Sequence, residues 1–314
     1  MPRRGGSGAA APAARMGYHP ARMRPRGLLA AFGVVGLVAL TALVHTQAPP
    51  PGKRLLFLTH AGLYKHPSLE PAEAAVTAWG KSAGFEVTTR QGFKEDARTL
   101  DMSFLTPEYL ASFDGLMLMT NGNLPFTDAQ KRGIVEFVRG GKALVGVHCA
   151  TLTMYDYPEF GEVLGGYYLR SLIPTAAVTA GKVAVLKVED QAHPATRMLG
   201  STWPLNEEFY EFGRTVWDAS RPTENVSQVG RLPILLPFSR DRVHVLLSLD
   251  TDRTDLSDLQ NVPKGDYPQA WTRTFGRGRT FYTALGHRED IWAHDAVFRA
   301  HVTGGIRWAL GLEN

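Results

Sequence analysis

The sequence contains a single cysteine, Cys149, in 314 residues. One thiol cannot form an intramolecular disulfide, and it cannot supply a zinc site built from several cysteines. Acidic residues are missing only near the amino terminus, where residues 1–48 carry six arginines and no Asp or Glu. The other 28 Lys and Arg residues are set against 30 acidic ones. The chain after residue 48 is therefore slightly negative, and its composition gives no support to a nucleic-acid partner.

Several common functional motifs are also absent. The sequence has no HExxH zinc motif, no P-loop and no GxGxxG after its first predicted strand. Gly276-Arg277-Gly278 fits a hairpin turn better than a phosphate-binding loop, because no helix pattern with Lys-Ser or Lys-Thr follows it. Nothing therefore argues for a dinucleotide cofactor, and any metal ligands must come from separate loops.

The first 52 residues predict an export segment. Arg22, Arg24 and Arg26 precede a 17-residue apolar run from Leu28 to Val44, and small residues and prolines follow it. This order is typical of export signals, and the run is shorter than the ~20 residues that span a bilayer. We expect residues 1–52 to be an export signal with a Pro-rich spacer, or else an uncleaved membrane anchor. We expect the protein to be periplasmic or extracellular, with membrane contact only through this segment.

Residues 53–312 are predicted to form one domain of the α/β class. Apolar, strand-like runs alternate with helical patterns in the first half, at 55–59, 85–89, 115–119 and 143–147. Alternation of this kind predicts a mostly parallel central sheet with right-handed crossovers. The second half is less regular, with strands predicted at 183–188 and 243–249, a hairpin at 270–285 and a last helix at 296–310.

The segment Gly141 to Thr151, GKALVGVHCAT, has the pattern of a central strand that ends in a tight turn. Ala143 to Val147 is continuously apolar, as in a strand buried on both faces. Small residues two positions before and two after His148 allow a sharp turn that lifts the central side chain above the sheet edge. We therefore predict that His148 is catalytic and that Cys149 points away from this edge.

Other polar residues are predicted to reach the same edge. His60, Asn121 and His148 each follow the end of a predicted strand, where open α/β sheets bind ligands. We predict that His60 and Asn121 bind substrate. His287 and Glu289 follow a late strand as His-x-Glu, a spacing that lets the carboxylate orient the imidazole. These two are predicted to be catalytic with His148.

The segment NEEFYEF adds a carboxylate and an aromatic ring. Glu208 and Tyr210 lie on the same side if this piece is extended, and we predict that they bind sugar hydroxyls. His66 and His193 each precede a proline and are predicted to be turn residues rather than site residues.

A divalent metal such as zinc is a possible cofactor at this edge. Its candidate ligands are His148, His287 and Glu208, because imidazole and carboxylate groups suit zinc and some other transition ions. The sequence leaves open whether a metal binds.

Six segments, in order, resemble the trehalose-utilisation (ThuA-like) family: GKALVGVHCATLTMYDYPEFGEVLGGYY, DQAHPATRML, NEEFYEF, VHVLLSLD, DYPQAWTRTFGRGRTFYTALGHRED and GGIRWALG. The resemblance covers residues 54–311. It implies a flavodoxin-like three-layer sandwich related to the class I glutamine amidotransferases. It also implies a role in carbohydrate metabolism, with disaccharides and their 3-keto derivatives as the associated substrates. Those amidotransferases carry a cysteine at the turn where this chain has His148, so the resemblance does not extend to their chemistry.

Three functional hypotheses follow. The first is an exported enzyme, a lyase, isomerase or hydrolase, that acts on a disaccharide or 3-keto-glycoside by histidine acid/base or metal-assisted chemistry. The second is a non-catalytic carbohydrate-binding or scaffold module whose aromatic residues stack on sugar rings. The third is a hydrolase with Cys149 as its nucleophile. The expected partner is a small-molecule carbohydrate, and the oligomeric state is left open.

Overall fold

A computed structural model of the protein describes residues 52–93, 100–259 and 261–314. The predicted export signal or anchor lies outside these residues, apart from Gly52. Within these ranges, no helix combines the length and the hydropathy that crossing a bilayer requires.

The described residues form seven helices and thirteen strands. The helices are α1 (Leu69–Ala83), α2 (Pro107–Ala111), α3 (Asp128–Arg139), α4 (Pro158–Leu164), α5 (Thr175–Thr179), α6 (Asp290–His294) and α7 (Ala296–Ala309). The strands are β1 (Lys53–Ala61), β2 (Phe85–Phe93), β3 (Gly115–Leu118), β4 (Asn121–Gly122), β5 (Ala143–Val147), β6 (Leu152–Thr153), β7 (Tyr168–Ile173), β8 (Ala184–Val188), β9 (Thr202–Leu205), β10 (Phe209–Phe212), β11 (His244–Leu249), β12 (Pro268–Phe275) and β13 (Gly278–Thr283).

Eleven of these strands form one sheet. Its centre is parallel, in the order β2, β1, β3, β5 and β13. The strands β12, β11, β8 and β9 continue it as an antiparallel extension, while β7 and β10 form a separate antiparallel pair. The predicted α/β class with a mostly parallel central sheet is confirmed. The antiparallel extension explains why the second half of the sequence lacks regular strand–helix alternation.

The sheet separates two hydrophobic cores, which gives three layers. On one side, Val145 and Val147 of β5 belong to a core shared with α1 and α7. On the other side, Leu144 belongs to a core shared with α2, α3 and α4. Because β5 is buried on both faces, Leu144, Val145 and Val147 each contribute roughly 1.5–3 kcal/mol of burial free energy. The strand is thus a rigid base for the residues that follow it.

Helix α3 begins where its sequence predicts. The Thr127 hydroxyl accepts a hydrogen bond from the backbone N–H of Gln130 at 3.2 Å, and the Gln130 side chain accepts from Thr127 N–H at 2.8 Å. This capping box satisfies two donors that the first helical turn leaves unpaired. The helix then delivers the chain into β5 through Gly140 and Gly141.

A buried histidine in α7 is expected to make the stability of the fold depend on pH. His301 is fully buried, donates from Nδ1 to the Ala195 carbonyl at 2.8 Å, and its Nε2 lies 3.0 Å from the Thr283 hydroxyl. Burial lowers its pKa to about 4. The unfolded chain takes up this proton near pH 6.5, so the contribution is complete above pH 6.5 and is lost as the pH falls towards 4. The expected loss from this group is about 3 kcal/mol of unfolding free energy.

Urea unfolding with a chelator present, between pH 7.5 and 4.5, measures this effect. We expect His301→Gln to be less stable than the parent at pH 7.5 and to lose less stability on acidification. His294, which is exposed, provides the matched control: His294→Gln should keep the parental slope. If the unfolding free energy of His301→Gln fell with pH as steeply as that of the parent, His301 would not be the source of this pH dependence.

Candidate active site

His148 stands at the end of β5, at the start of a single 3-10 turn from His148 to Thr151. Its φ angle is 49°, in the left-handed region that side chains other than glycine rarely adopt. Gly146, two residues earlier, lets Leu164 and Tyr282 pack closely against β5, because a Cβ there would lie 2.6 Å from Leu164 Cδ1 and 3.0 Å from a ring carbon of Tyr282. The predicted tight turn is present. Backbone of this kind is concentrated at functional sites.

The ring of His148 is fully buried, and its two nitrogens have different partners. Nδ1 donates to the Ala284 carbonyl at 2.8 Å, which leaves Nε2 without a proton. Nε2 accepts from the Tyr210 hydroxyl at 2.9 Å. Burial, together with the neighbouring His66, holds the pKa of His148 well below its usual value. His148 is therefore a neutral imidazole whose Nε2 lone pair faces the Tyr210 hydroxyl.

Four buried side chains converge at this point: His66, His148, Glu208 and His287. Each offers one ligand atom, and these atoms lie within 4.8 Å of one another. They come from the β1–α1 connection, the turn after β5, the β9–β10 connection and the loop after β13. We call these four residues the His3Glu cluster.

The distances within the cluster are short. His287 Nδ1 lies 3.1 Å from Glu208 Oε2 and 3.3 Å from His148 Nε2, which is itself 3.5 Å from Glu208 Oε2. The His66 ring packs edge-on against His148, with centroids 4.7 Å apart. Its Nδ1 is buried without a hydrogen-bond partner among the described residues. A buried polar atom left unpaired in this way is costly unless something else satisfies it.

The charges in the cluster are unevenly distributed. Burial, and then the neighbouring His287, lowers the pKa of His66 to about 3. Burial alone would raise the pKa of Glu208, but hydrogen bonding to His287 and the nearby imidazoles lower it overall. Burial alone would lower the pKa of His287, but the bond to Glu208 and its charge raise it overall. A His287–Glu208 ion pair therefore lies beside two neutral imidazoles.

Three imidazoles and one carboxylate are a suitable donor set for zinc and related transition ions. Neutral His66 and His148 need not lose a proton to coordinate a metal, and Glu208 is ionised. The four groups come from separate loops, as the absence of a local metal motif requires.

Glu207 holds two parts of the cluster together. It is fully buried, and its carboxylate accepts from the backbone N–H groups of His287 at 3.0 Å, Arg288 at 2.8 Å and Glu208 at 3.2 Å. Burial raises its pKa to about 7 even against these three donors. Because it bonds to the backbone of both Glu208 and His287, Glu207 is a positioning residue that the sequence did not identify.

Asn121 has a similar role for the loop that carries His66. Its Oδ1 accepts from the N–H groups of Leu63 at 2.8 Å and Tyr64 at 3.1 Å, and its Nδ2 donates to the Tyr64 carbonyl at 2.8 Å. All three bonds of the Asn121 side chain are to the backbone. Asn121 was predicted to bind substrate at this sheet edge, and in the structure it supports the loop that carries His66.

The structure brings together most of the predicted site residues. His148, His287, Glu208 and Tyr210 all lie within one buried group, and the structure adds His66, for which the sequence predicts only a turn. His66 thus differs from its prediction, because Asn121 fixes the loop before it at the edge of the sheet.

Two predicted site residues lie elsewhere. His60 was expected after the end of a strand, but β1 continues to Ala61, and the His60 ring packs against Gly92 and stacks with Phe104 at 5.7 Å. Glu289 is exposed at the start of α6. The carboxylate that contacts His287 is Glu208, so the orienting role predicted for Glu289 falls to a residue 79 positions before His287.

Cys149 points into the hydrophobic core on the α1 and α7 side of the sheet. Burial raises the pKa of its thiol to about 12. A thiol in that environment supplies almost no thiolate at neutral pH, so it cannot serve as the nucleophile of a hydrolase.

We expect Cys149 to resist thiol reagents in the folded protein. A disulfide reagent at pH 8 should react only as fast as the protein unfolds, and should react with one equivalent per chain in urea. Because Cys149 is the only cysteine, the signal has a single source. Rapid reaction with one equivalent in the native protein would contradict the placement of this thiol.

Comparison with known proteins gives a family and a fold. The family described as trehalose utilisation (ThuA) matches residues 54–228 and 235–309. The solved structure of a protein described as ThuA-like from Bacteroides uniformis is 19% identical, with a TM-score of 0.57 over 84% of this chain and 93% of that chain. A second, from Parabacteroides merdae, is 16% identical, with a TM-score of 0.56 over 83% of this chain and 91% of that one. No curated protein matches the sequence significantly.

Proposed function

The chain belongs to the trehalose-utilisation (ThuA-like) family, and we propose that it is an exported enzyme of carbohydrate metabolism with one divalent metal ion, such as zinc, in the His3Glu cluster. The proposed substrate is a disaccharide or 3-keto-glycoside. On a 3-keto-glycoside, the proposed chemistry is proton transfer between the carbon next to the keto group and an acid/base group of the site, which leads to isomerisation or β-elimination. Export is proposed from the arginines and the apolar run of the leader sequence.

One observation carries the proposal of a metal: four buried ligand atoms from four separate segments lie within 4.8 Å of one another. Bringing three imidazoles and a carboxylate out of water is costly unless they are paired or bind a cation. His66 has a buried Nδ1 without a partner. A metal ion in the cluster would give the imidazole of His66 the partner that the described protein groups do not supply.

The pKa values favour a metal over a metal-free acid/base centre. A general acid or base works best when its pKa is near the working pH. His66, with a pKa of about 3, and His148, which is also far below its usual value, are too weakly basic for that role at neutral pH. The same neutral state makes them good metal ligands.

A metal at this site would act as a Lewis acid that polarises a carbonyl or hydroxyl oxygen of the substrate. Tyr210 contributes in its protonated form, because burial and the nearby Glu208 hold its pKa well above the usual value. Its hydroxyl can donate a hydrogen bond to an oxygen on which negative charge develops.

Metal-free acid/base chemistry is the second candidate. The contact of 3.1 Å between His287 Nδ1 and Glu208 Oε2 favours it, since a neighbouring carboxylate stabilises a protonated imidazole. In that case His287, whose pKa is raised by Glu208, is the acid.

Proton exchange into a 3-keto-disaccharide in deuterated buffer, followed by NMR, tests the proposed function. We expect exchange or product formation that a chelator abolishes and that added zinc restores. His148→Ala with His287→Ala should be inactive. Chelator-insensitive turnover that is unchanged in the double variant would contradict both candidates, and binding without turnover would favour a non-catalytic module.

A further inference from the structure

A cavity of about 470 Å³ opens beside the His3Glu cluster. His66, Glu208 and His287 line one part of it, together with Tyr210. The volume lies within the roughly 300–1,000 Å³ range of small-molecule pockets. A ligand that fills it would place one group at the cluster and the rest against the other walls.

Those other walls contain no full positive charge. None of the described residues that line the cavity is Lys or Arg, and the only carboxylate is Glu208 of the cluster itself. A phosphate group carries a charge of about −1.5 to −2 at neutral pH and normally pairs with Arg or Lys. Away from the cluster, an anionic ligand would find no such partner here.

The mouth of the cavity is unusually apolar. Leu63, Tyr64 and Val229 line it, and they are 40%, 49% and 38% exposed. They are three of only seven large apolar side chains that the described residues leave exposed. Isolated exposed apolar residues are normal, but a group of them at one pocket marks a binding surface.

The surface is also pre-organised. Asn121 holds the backbone of Leu63 and Tyr64 with three hydrogen bonds. The Tyr64 ring packs edge-on against His66, with centroids 4.7 Å apart. An aromatic face that is fixed before binding can stack on the C–H face of a sugar or on an aromatic group at a small entropic cost.

A polar contact lies nearby. The Gln228 side-chain oxygen accepts from the Tyr168 hydroxyl at 3.1 Å and from Ser171 N–H at 3.0 Å. These bonds fix the amide, and no described residue accepts from its Nε2. Gln228 therefore has a donor free for a ligand hydroxyl.

We infer that Leu63, Tyr64, Val229 and Gln228 form a distal subsite, which binds the non-reacting end of the ligand through an apolar face and selects uncharged ligands over anionic ones. The inference rests on the proposed function only in placing the reacting end at the His3Glu cluster. It assigns specificity to residues outside the cluster.

Calorimetry on the zinc-loaded full chain, with phenyl and methyl β-D-glucoside as probes, tests whether the distal subsite binds through an apolar face. We expect the phenyl glucoside to bind at least about tenfold more tightly. Tyr64→Ala should reduce this preference to less than about threefold. Val183, which is exposed but does not line the cavity, gives the control Val183→Ala, which should keep it. Equal or absent binding of the two glucosides would overturn the inference.

Introducing a positive charge tests whether the distal subsite prefers uncharged ligands over anionic ones. Trehalose should bind at least about tenfold more tightly than trehalose 6-phosphate, and Val229→Lys should narrow that ratio while Val183→Lys leaves it unchanged. A parental protein that binds the phosphate as well as it binds trehalose would overturn the inference. Zinc titration of the same samples separates the proposed metal site from the distal subsite. A parental protein that does not bind zinc would contradict the proposed function. The preference for the phenyl over the methyl glucoside tests the distal subsite whether or not zinc is bound.

Discussion

Replacing His148 by alanine is expected to abolish tight zinc binding, weakening the affinity by at least about 100-fold. His148 Nε2 is a central atom of the cluster, within 3.5 Å of both Glu208 and His287. Its Nδ1–H is held by the Ala284 carbonyl, so the ring is already oriented and in the tautomer that binds a metal through Nε2. The substitution removes one of four ligands and the most constrained of them. Competition titration with a chromophoric chelator measures the change.

Two controls make this result specific. His294→Ala removes an exposed histidine outside the cluster, and zinc affinity should not change. Cys149→Ala alters the same turn without touching a ligand, so it should retain zinc even if it costs some stability. Unchanged stoichiometry and affinity in a folded His148→Ala variant would remove His148 from the metal site.

Replacing Glu207 by glutamine is expected to weaken zinc binding by about 10- to 100-fold although Glu207 does not touch the metal. The carboxylate accepts three backbone N–H groups, from His287, Arg288 and Glu208. Glutamine has one oxygen and would place an NH2 group against one of these donors. A buried donor left unpaired costs about 1–3 kcal/mol, so the unfolding free energy should fall as well.

Zinc affinity, together with separate measurements of KM and kcat, shows whether Glu207 positions the metal ligands or only stabilises the fold. Glu207→Gln should lower zinc affinity even at a temperature where it is fully folded, and excess zinc should recover most of the activity. Glu86, an exposed residue of β2, supplies the control Glu86→Gln, which should match the parent in both measurements. A folded Glu207→Gln protein with parental zinc affinity would show that Glu207 is structural only.

Local patterns were enough to predict the α/β class, the mostly parallel sheet and the turn at His148. The continuous apolar run of β5 and the small residues around His148 are short-range features, and both appear as predicted. The Thr127–Gln130 capping box is equally local. Each depends on residues that are neighbours in sequence, so each is visible in the sequence alone.

The missed residues depend on long-range contacts. His66 reaches the cluster because Asn121, more than 50 residues away, fixes the backbone of Leu63 and Tyr64. His60 illustrates the opposite error: one further strand residue, Ala61, is enough to keep its ring within the packing of β1 and β2.

The pairing of His287 illustrates the same limit. The spacing His287-x-Glu289 suggested a local partner, yet the β9–β10 connection supplies Glu208 instead. Two carboxylates next to each other in sequence, Glu207 and Glu208, then divide the work: one binds backbone N–H groups and the other faces the imidazoles. Only the packed structure distinguishes them.

The residue at the turn after β5 is a histidine and not a cysteine, and an imidazole supports different reactions from a thiol. The thiol of Cys149 is buried with a pKa raised to about 12, while the equally buried ring of His148 faces the His3Glu cluster and joins two further histidines. Two neutral imidazoles beside a histidine–carboxylate pair suit metal-assisted chemistry, whereas a nucleophilic mechanism needs an accessible thiolate.

Anomalous X-ray scattering at the zinc edge, from crystals of the zinc-loaded protein, shows whether zinc occupies the His3Glu cluster. We expect one strong peak bound by His66, His148, His287 and Glu208, with zinc–nitrogen distances of about 2.0–2.1 Å. A crystal with zinc bound elsewhere, and with these four side chains in contact with one another and no peak between them, would contradict the proposed metal site.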